Sequence, residues 1–429
     1  MRSTLFYIPA ELAGQPIFGF GWLLVAWIVF GIGLVAWASR QPQGKREVAG
    51  YLPLLLIVAV VIAFVLPSLV EQSPGGEPLG VPIRGFGVMF MLATLAGVGL
   101  AAYRARQAGL DPEMIYSLAF AMFVPGIIGA RLFYVIQYWD EVAQLSPQGG
   151  LDFGRTLQAL LNVTKGGLVV YGSLLAAVPA GIWFCWRHRL PILKMGDVIA
   201  PSMLVGLALG RIGCFFNGCC FGGVCLTADY ALSFPAGSPP YVQQEGAGWR
   251  SGVWLAEDEG NVVVAYVAPQ SAAAEHVRVG DHILRINGAE VQSVSDARQK
   301  LATAGSGLEV ETEEGRVERW SNPSPPAWSV PIHATQLYAA IDASLLAVVL
   351  WLAFAYRRHD GEVFALMVTV HPISRFLLEM IRSDEPGQFG TELTISQWLS
   401  LGILAGACVL WWYIERQPRG FRVQGSEVA

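Results

Sequence analysis

Arginine side chains inside long apolar stretches are the first chemical feature of this sequence. Five of them stand within or at the ends of such stretches: Arg84, Arg131, Arg211, Arg375 and Arg382. A guanidinium at membrane depth costs at least about 2.5 kcal/mol, so it normally faces a cavity or a partner. All five fall near the outer ends of their stretches, and we expect them to converge on one outward-opening cavity. For Arg131 and Arg382, snorkelling to the membrane interface is an alternative of equal weight.

Two of these arginines lie in motifs that suit an anion. Arg211 belongs to the glycine-rich run 210–223, where residues without a Cβ let backbone and ligand approach closely. Arg375 precedes Glu379 by four residues, and Arg382 follows it by three, so one carboxylate can orient both guanidiniums. A pair of arginines in an apolar cavity can hold a phosphate through paired hydrogen bonds. The pattern therefore predicts a phosphate clamp.

The elements that carry these residues are predicted from composition. The chain of 429 residues is 54% hydrophobic and 14% charged, whereas about a quarter of the residues of a soluble protein are charged. Apolar stretches long enough to cross about 30 Å of hydrocarbon occur at nine places, roughly 17–38, 51–70, 83–103, 114–138, 166–186, 198–216, 335–356, 363–380 and 395–414. We predict an all-α polytopic membrane protein.

Basic residues predict its orientation. Most lysines and arginines in the connecting loops fall on one side of the membrane, whereas only Arg2, Arg155 and Lys165 lie in the short loops opposite. Cytoplasmic loops carry the excess of positive charge. The N-terminus is therefore expected outside and the C-terminus in the cytoplasm.

Residues 250–320 have a different composition from the rest of the chain. They hold 19 of the 61 charged side chains, with 12 acids and 7 bases, and their net charge of −5 equals that of the whole chain. No basic face remains for nucleic acid. The span order places this soluble insert on the outer face, which is either periplasmic or extracellular.

The insert has its own pattern of strands and turns. A strand is predicted at 262–267, then a turn, a short helix and a hairpin, with Gly280-Asp281 and Asn287-Gly288 at tight turns. Over about 70 residues the run Gly-Asp-x-Ile-Leu-x-Ile-Asn-Gly resembles a bacterial PDZ domain. The resemblance implies an α+β fold for 250–322, and a bound peptide strand is a candidate ligand.

Cysteines cluster in and after the glycine-rich run, at Cys214, Cys219, Cys220 and Cys225. On the outer side of the membrane a disulfide can form, and we favour one within this loop over simple packing. Their spacing is not a paired C-x-x-C zinc pattern, so we predict no metal site. Cys185 and Cys408 lie in other apolar stretches and are predicted to be core residues.

From about Pro82 to Gly402 the chain resembles the prolipoprotein diacylglyceryl transferase family. Seven motifs carry the resemblance in order: Ile83-Arg84-Gly85-Phe86-Gly87, Gly129-Ala130-Arg131-Leu132, Gly166 to Gly172, Gly210-Arg211-Ile212-Gly213, His333 to Tyr338, Arg375-Phe376 with Glu379 and Arg382, and Ser396 to Ser400. The resemblance implies a core at 76–249 and 323–429, interrupted by the insert at 250–322. Residues 1–75 are then an additional pair of transmembrane helices.

The resemblance also implies an activity. Enzymes of this family, in the bacterial cytoplasmic membrane, move a diacylglyceryl group from phosphatidylglycerol to the lipobox cysteine of a prolipoprotein and release glycerol phosphate. No cofactor is expected. The competing class is a non-catalytic transporter or receptor for an anionic lipid or solute, in which the same arginines bind without turnover.

Roles follow for individual residues. Arg211 and Arg375 are expected to stabilise the negative charge that develops on the departing phosphate. Substrate contacts are expected from Arg84, Asn217, Gly222, Glu379, Arg382 and His371. The base that generates the thiolate is left open between His333, His371 and Tyr171, whose pKa would have to fall from about 10. Each histidine could instead have a structural role and bond a neighbouring carbonyl or a lipid headgroup. The positive charge of the arginines could also lower the pKa of the incoming thiol without any dedicated base.

The chain departs from the usual family pattern at several positions of the site. Cys214 and Cys219 replace an asparagine and a glutamate, Phe86 and His371 replace tyrosines, and Tyr171 stands where some members have histidine.

Overall fold

The computed structural model describes residues 4–12, 14–40, 44–73, 75–143, 150, 152–161, 167, 169–305, 307–321, 325–383, 387–388 and 390–417. Its helices are α1 (Trp22–Ala38), α2 (Gly44–Val60), α3 (Gly85–Gln107), α4 (Pro112–Gln137), α5 (Trp139–Val142), α6 (Phe153–Leu161), α7 (Val170–Arg187), α8 (Ile192–Asn217), α9 (Pro239–Gly246), α10 (Val294–Thr303), α11 (Thr335–Tyr356), α12 (Glu362–Glu379) and α13 (Ile395–Glu415). Its strands are β1 (Thr4–Ile8), β2 (Glu11–Leu12), β3 (Gln15–Pro16), β4 (Glu71–Gln72), β5 (Pro78–Arg84), β6 (Val253–Asp258), β7 (Asn261–Val267), β8 (Ile283–Ile286), β9 (Ala289–Glu290), β10 (Gly307–Thr312) and β11 (Val317–Ser321).

Within these residues, six helical segments are long and apolar enough to cross a membrane, as expected of a polytopic membrane protein. They are Leu52–Leu69, Gly85–Gln107, Pro112–Gln137, Ile192–Asn217, Thr335–Tyr356 and Ile395–Glu415. The other three predicted spans also contain helices, but α1 has 17 residues and α7 and α12 have 18 each. Because α12 carries four ionisable side chains, its apolar character is weaker. For these three helices a membrane crossing remains a prediction.

The chain divides into two compact units. The first unit contains Met89–Ala119 and Phe184–Ala429, and the second contains Arg2–Val88 and Phe120–Trp183. In the first unit, α8, α11 and α12 pack around a buried core that includes Leu204, Leu350 and Met367. Close helix contact is also made by small residues, since Cβ atoms built on Gly97 and Gly206 would each lie 3.4 Å from a carbonyl oxygen of the facing helix.

A buried aspartate joins α8 to the start of α12. Asp197 is fully buried and accepts hydrogen bonds from the backbone N–H groups of Gly361, at 2.7 Å, and Phe364, at 2.9 Å. Arg357 lies 3.6 Å from the same carboxylate. The first N–H groups of a helix lack partners within it, so this side chain caps α12 from a neighbouring helix. The cap fixes where α12 begins.

The charged insert folds as a small α+β domain of the first unit. Strands β6 and β7 form a hairpin, and a second sheet has the order β11-β10-β8-β9. Alternate residues of the strands, among them Val264, Ile286 and Trp320, bury one core together with Leu301 of α10. Asn287 and Gly288 have φ values of 49° and 75°, which confirms the predicted tight turn.

The two ends of this domain lie close together. Trp320 donates from its indole nitrogen to the carbonyl of Ser251 at 3.3 Å. The segments on either side belong to a different cluster, in which Trp249 donates to the carbonyl of Trp328 at 2.9 Å and the Gln244 side chain accepts from Val330 N–H at 2.7 Å. The flanking segments therefore bond to each other directly, and Trp254 and Ala268 of the domain pack into the same cluster.

In the second unit, helices α4 and α7 cross at two glycines. A Cβ on Gly129 would lie 2.5 Å from the carbonyl oxygen of Gly172, and one on Gly172 would lie 2.3 Å from that of Gly129. No larger residue fits at either position, so these glycines of the sequence motifs are explained by packing. The same unit contains a sheet with strand order β1-β5-β4 and the β2-β3 hairpin.

Cys185 and Cys408, the two cysteines outside the cluster, were both predicted to be core residues, and only one of these predictions is confirmed. Cys185 is buried, as predicted, but Cys408 is exposed on α13, so its assignment to the core was wrong. An apolar helix in a membrane protein can present such a side chain to lipid, which sequence periodicity does not distinguish from a core position.

Replacement of residues 253–321 by a short Gly-Ser linker is expected to leave the rest of the first unit folded. The reason is that Ser251 and Trp320, at the two ends of the domain, are joined by a hydrogen bond that a short linker can span. The segments around Trp249 and Val330 also bond to each other, although the deletion removes Trp254 and Ala268 from their cluster. Thermal unfolding in detergent should shift by less than about 4 °C. As a matched control, a deletion of residues 239–321 also removes Gln244 and Trp249 and should aggregate. Aggregation of the shorter deletion would show that the domain is part of the scaffold.

Candidate active site

The loop that follows α8 is held on both of its sides. Gly218, with a φ of 75°, ends the helix in the left-handed conformation that favours glycine. On one side Gly222 N–H donates to the carbonyl of His333 at 2.9 Å, and on the other Gly223 N–H donates to the carbonyl of Ile381 at 3.0 Å. The loop thus lies between the start of α11 and the turn after α12.

Gly222 is buried where this loop meets the segment before α11. A Cβ at this position would lie 2.7 Å from that of His333 and 2.8 Å from Cγ2 of Thr335. Thr335 and Gln336 hold the preceding backbone, donating to the carbonyls of Cys220 and Cys219 at 2.7 Å each. Gly222 therefore has a packing role, while its predicted contact with substrate remains a prediction.

The turn after α12 contains a buried carboxylate shared by two arginines. Glu379 has a side chain with no exposed surface, and its Oε2 atom pairs with Arg375 and, at 2.9 Å, with Nη1 of Arg382. Both guanidiniums are themselves largely buried, with 17% and 6% of their side chains exposed. The predicted arrangement of one carboxylate between two arginines is therefore present.

The start of α13 completes this cluster. Thr394 donates to Glu379 Oε1 at 3.3 Å and also forms a capping box with Gln397. Arg375 donates from Nη2 to Ser396 Oγ at 3.1 Å. Sequence reasoning missed Thr394 as part of the site. The signal was available, because a threonine three residues before a glutamine at the start of an apolar run is a helix N-terminus pattern.

His371 lies one helical turn before Arg375 on α12. Its imidazole is within electrostatic range of Asp342, Arg211 and Arg375, so α8, α11 and α12 all contribute charge around it. The Nδ1 atom is buried and has no hydrogen-bond partner among the described residues. Asp342 in turn accepts a hydrogen bond from Ser374 at 2.8 Å. Asp342 was also missed, although a lone acid within an apolar helix is a recognised sign of function.

Arg211 differs from the other two arginines of the cluster. It lies on α8, half-buried, and no described residue forms a hydrogen bond or an ion pair with its guanidinium. Its neighbour Gly210 borders open space, since a Cβ there would meet no atom within 4 Å. An arginine with five N–H donors and no protein acceptor is suited to an anionic ligand.

His333 is placed differently from His371. Its Nδ1 atom lies 3.4 Å from the hydroxyl of Tyr338, and its ring is near that of Tyr230. Its backbone pairs with Gly222 and Gly223. The histidine is thus part of the structure that holds the loop.

Three of the four clustered cysteines come together at the end of α8. The sulfur atoms of Cys214, Cys219 and Cys220 all lie within 4.8 Å of one another, and the thiols are free. Hydrogen bonds from Cys214 and Cys220 lower the pKa of the Cys219 thiol. Cys225 is buried outside this group, and its thiol is free as well, so the disulfide favoured from the sequence is not formed in this structure. Asn217, the last residue of α8, is exposed.

The remaining predicted residues belong to the second unit. Arg84 ends β5 with an exposed side chain that lies 3.0 Å from Glu71, and Tyr171 lies in the first turn of α7. Arg131 donates to the carbonyls of Ala159, Leu160 and Gly167 at 2.6 to 2.9 Å. Arg131 is therefore anchored to backbone rather than extended to an interface.

Comparison with known proteins identifies similar sequences over most of the chain. The model of a family described as prolipoprotein diacylglyceryl transferase matches residues 78–413. A phosphatidylglycerol–prolipoprotein diacylglyceryl transferase of Rhodopirellula baltica is 35% identical, in a match that covers 95% of this chain and 88% of that protein. A second protein of this name, from Clostridium perfringens, is 22% identical, with 78% of this chain and 93% of the relative covered.

Substitution of Glu379 by Gln tests the role of the shared carboxylate. The change leaves two buried guanidiniums without their counter-charge, and removal of one partner of a buried ion pair typically costs about 3 to 5 kcal/mol. We expect a loss of about 3 kcal/mol in the free energy of unfolding, measured by thermal unfolding in detergent.

The matched control is Glu362→Gln at the other end of α12, where the carboxylate is partly exposed and pairs with His359. It should cost less than about 1 kcal/mol. Equal losses in the two variants would show that Glu379 does not organise the turn.

Proposed function

Since the chain belongs to the prolipoprotein diacylglyceryl transferase family, we propose that Arg211, Arg375 and His371 carry out its transfer reaction. The protein is a membrane-embedded diacylglyceryl transferase that acts on prolipoproteins. The proposed donor is phosphatidylglycerol, as the names of its relatives indicate, and the proposed acceptor is the thiol of the lipobox cysteine. The alternative of a non-catalytic transporter or receptor is set aside, because relatives matched over most of their length are named transferases.

Phosphate binding is the first proposed step. Glu379 offsets one of the two positive charges of Arg375 and Arg382, which leaves a net charge of +1 on that group. Arg211 adds a second positive charge and has no acceptor among the described residues. With Asp342, whose charge acts on His371 from α11, the group of three arginines and two acids has a net charge of +1. A net positive charge in an apolar environment favours a phosphate. The unsatisfied guanidinium of Arg211 beside this group is the observation that carries the proposal.

The two arginines are proposed to have unequal tasks. Arg375 is held by Glu379 and Ser396, so its guanidinium is fixed before substrate binds, and this reduces the cost of reorganisation in the transition state. Arg211 has no such restraint and is free to form paired hydrogen bonds with phosphate oxygens. The open space beside Gly210 offers room for the glyceryl part of the lipid.

His371 is proposed as the base. Its buried Nδ1 atom has no acceptor or donor among the described residues, whereas Nδ1 of His333 lies beside the Tyr338 hydroxyl. A neutral imidazole in such a position can take the proton of an incoming thiol. Asp342 is proposed to stabilise the imidazolium that forms, since its charge acts on His371. Tyr171 remains the other candidate base, and Arg84 and Asn217 remain candidate substrate contacts.

The bond changes follow from these positions. The lipobox thiol loses its proton to His371, and the thiolate attacks the glyceryl carbon that is bonded to the phosphate oxygen. A carbon–sulfur bond forms while the carbon–oxygen bond breaks, and the electron pair of that bond stays on the departing glycerol phosphate. Arg211 and Arg375 stabilise the charge that develops there. No redox change or cofactor is required.

The orientation and the small domain complete the proposal. We place the protein in the bacterial inner membrane with nine spans, the N-terminus outside and residues 250–322 on the periplasmic side, in keeping with the distribution of basic residues.

The domain is proposed to be PDZ-like, with an extended peptide as its ligand. Its two sheets, the helix α10 and the turn at Asn287-Gly288 support that assignment. Residues 1–75 are proposed to be an additional helix pair, and 76–249 with 323–429 the transferase core.

Arg211→Ala is expected to lower the rate of diacylglyceryl transfer by about 100-fold or more, because the positive charge and the paired hydrogen bonds that stabilise the departing phosphate are lost. Arg211→Lys should recover only part of the rate, since an ammonium cannot form paired hydrogen bonds with a phosphate. The measurement is mass-spectrometric detection of the modified lipobox peptide. Arg416→Ala, at the far end of α13, is the control and should keep the wild-type rate. More than half of the wild-type rate in Arg211→Ala would rule out the clamp.

The two histidines can be separated by matching substitutions. His371→Asn should reduce transfer by about 100-fold, and His333→Asn by no more than about threefold with some loss of thermal stability. The wild-type rate should fall as pH decreases and the imidazole becomes protonated, because only the neutral ring accepts a proton. His371→Asn should lack that decline. Charges of Asp342, Arg211 and Arg375 all act on this titration. A larger effect of His333→Asn would instead assign the base to His333.

A further inference from the structure

The three sulfur atoms at the end of α8 form a cluster that the transfer reaction does not use. Cys214 lies in the last turn of α8, and Cys219 and Cys220 follow the helix by two and three residues. Their sulfurs lie within 4.8 Å of one another, and each side chain is only half-buried. The separation is close to that of sulfur atoms bound to a single metal ion with bonds of about 2.3 Å.

The backbone is shaped to bring the three side chains together. Cys220 has a φ of 59°, in the left-handed region that a residue with a Cβ adopts only when its surroundings impose it. Thr335 and Gln336 impose it here, because each donates a 2.7 Å hydrogen bond to the carbonyl of Cys220 or Cys219. A glycine would occupy this position without strain. The loop is therefore held in the conformation in which the Cys220 sulfur lies near those of Cys214 and Cys219.

The chemistry of the cluster selects the ion. Its three donors are all sulfur, and within the described residues neither a carboxylate nor an imidazole belongs to the group. Soft thiolate ligands select Cu(I) or Zn(II) among biological metals. Zinc in structural sites requires four ligands in a tetrahedron, whereas Cu(I) is satisfied by three sulfurs in a plane. The donor set thus favours Cu(I).

We propose that Cys214, Cys219 and Cys220 form a three-thiolate binding site for Cu(I). On binding, three thiols release three protons and the sulfurs form three bonds to the ion, with no change in oxidation state. The complex of one Cu(I) with three thiolates carries a net charge of −2. Oxidation of two of these cysteines to a disulfide is the competing chemistry, and it would remove the site.

The site also has a consequence for transfer, which rests on the proposed function. Cys214 follows Arg211 by three residues on α8 and so lies on the same face of the helix. The negative charge of the copper complex would offset the positive charge of Arg211 and so weaken its binding of a phosphate. Occupation by Cu(I) should therefore slow diacylglyceryl transfer.

Binding is measured on the full chain in detergent, reduced with a phosphine and kept free of oxygen. Cu(I) is added as its acetonitrile complex in competition with the chromophore bicinchoninate. One Cu(I) per chain is expected for the wild type, and Cys214→Ser, Cys219→Ser or Cys220→Ser should each weaken the affinity by at least about tenfold. Cys225→Ser and Cys185→Ser are matched controls that should bind like the wild type.

Two further measurements separate Cu(I) binding from any effect of the substitutions on folding, and neither depends on the transfer activity. Cu(I) should protect three thiols of the wild type from maleimide, and the Cys→Ser variants should keep their thermal unfolding temperature without the ion. A wild-type affinity no greater than that of the triple serine variant would overturn the site, and so would preferential binding of Zn(II) under the same competition. A bridge among the three cysteines that persists in the reduced protein would overturn it as well. Tight binding with no effect on transfer would retain the site and refute only its link to Arg211.

Discussion

A carboxylate without exposed surface, Glu379, is the constraint on which the site depends. A buried charge is stable only when it is paired and hydrogen-bonded, and Glu379 meets this requirement with two arginines and Thr394. These partners come from the end of α12, the turn after it and the start of α13. Because Glu379 is stable only with all of these partners, it holds the end of α12 against the start of α13. It also orients Arg375 before any substrate is bound.

The same turn positions the loop that follows α8. The carbonyl of Ile381 accepts from Gly223, while the backbone of His333 pairs with Gly222 from the other side. Because Gly222 has no Cβ, the two segments approach more closely than any other residue would allow. Arg211 is carried by the helix that feeds into this loop. The position of the Arg211 guanidinium, which has no partner among the described residues, thus depends on contacts several residues away from it.

Helix α12 is fixed at both of its ends by buried acids. Asp197 caps its start from α8, and Glu379 anchors its end to α13. A helix restrained in this way presents His371 and Arg375, one turn apart, in a constant orientation. Polar contacts of this kind specify how helices align, because apolar packing alone distinguishes little between one arrangement and another.

The sequence by itself determined the membrane class, the family resemblance, the separate β-rich domain and the pairing of Glu379 with Arg375 and Arg382. Each of these depends on composition or on short spacings along one helix, where neighbours in sequence are neighbours in space. It did not reveal Asp342 beside His371, the cap that Asp197 provides, or the convergence of three sulfurs, with Cys220 in a left-handed conformation. Those depend on contacts between elements that are distant in the chain, so only the tertiary structure decided them. The exposed Cys408 has the same cause, since an apolar helix has no polar face to show which side meets its neighbours.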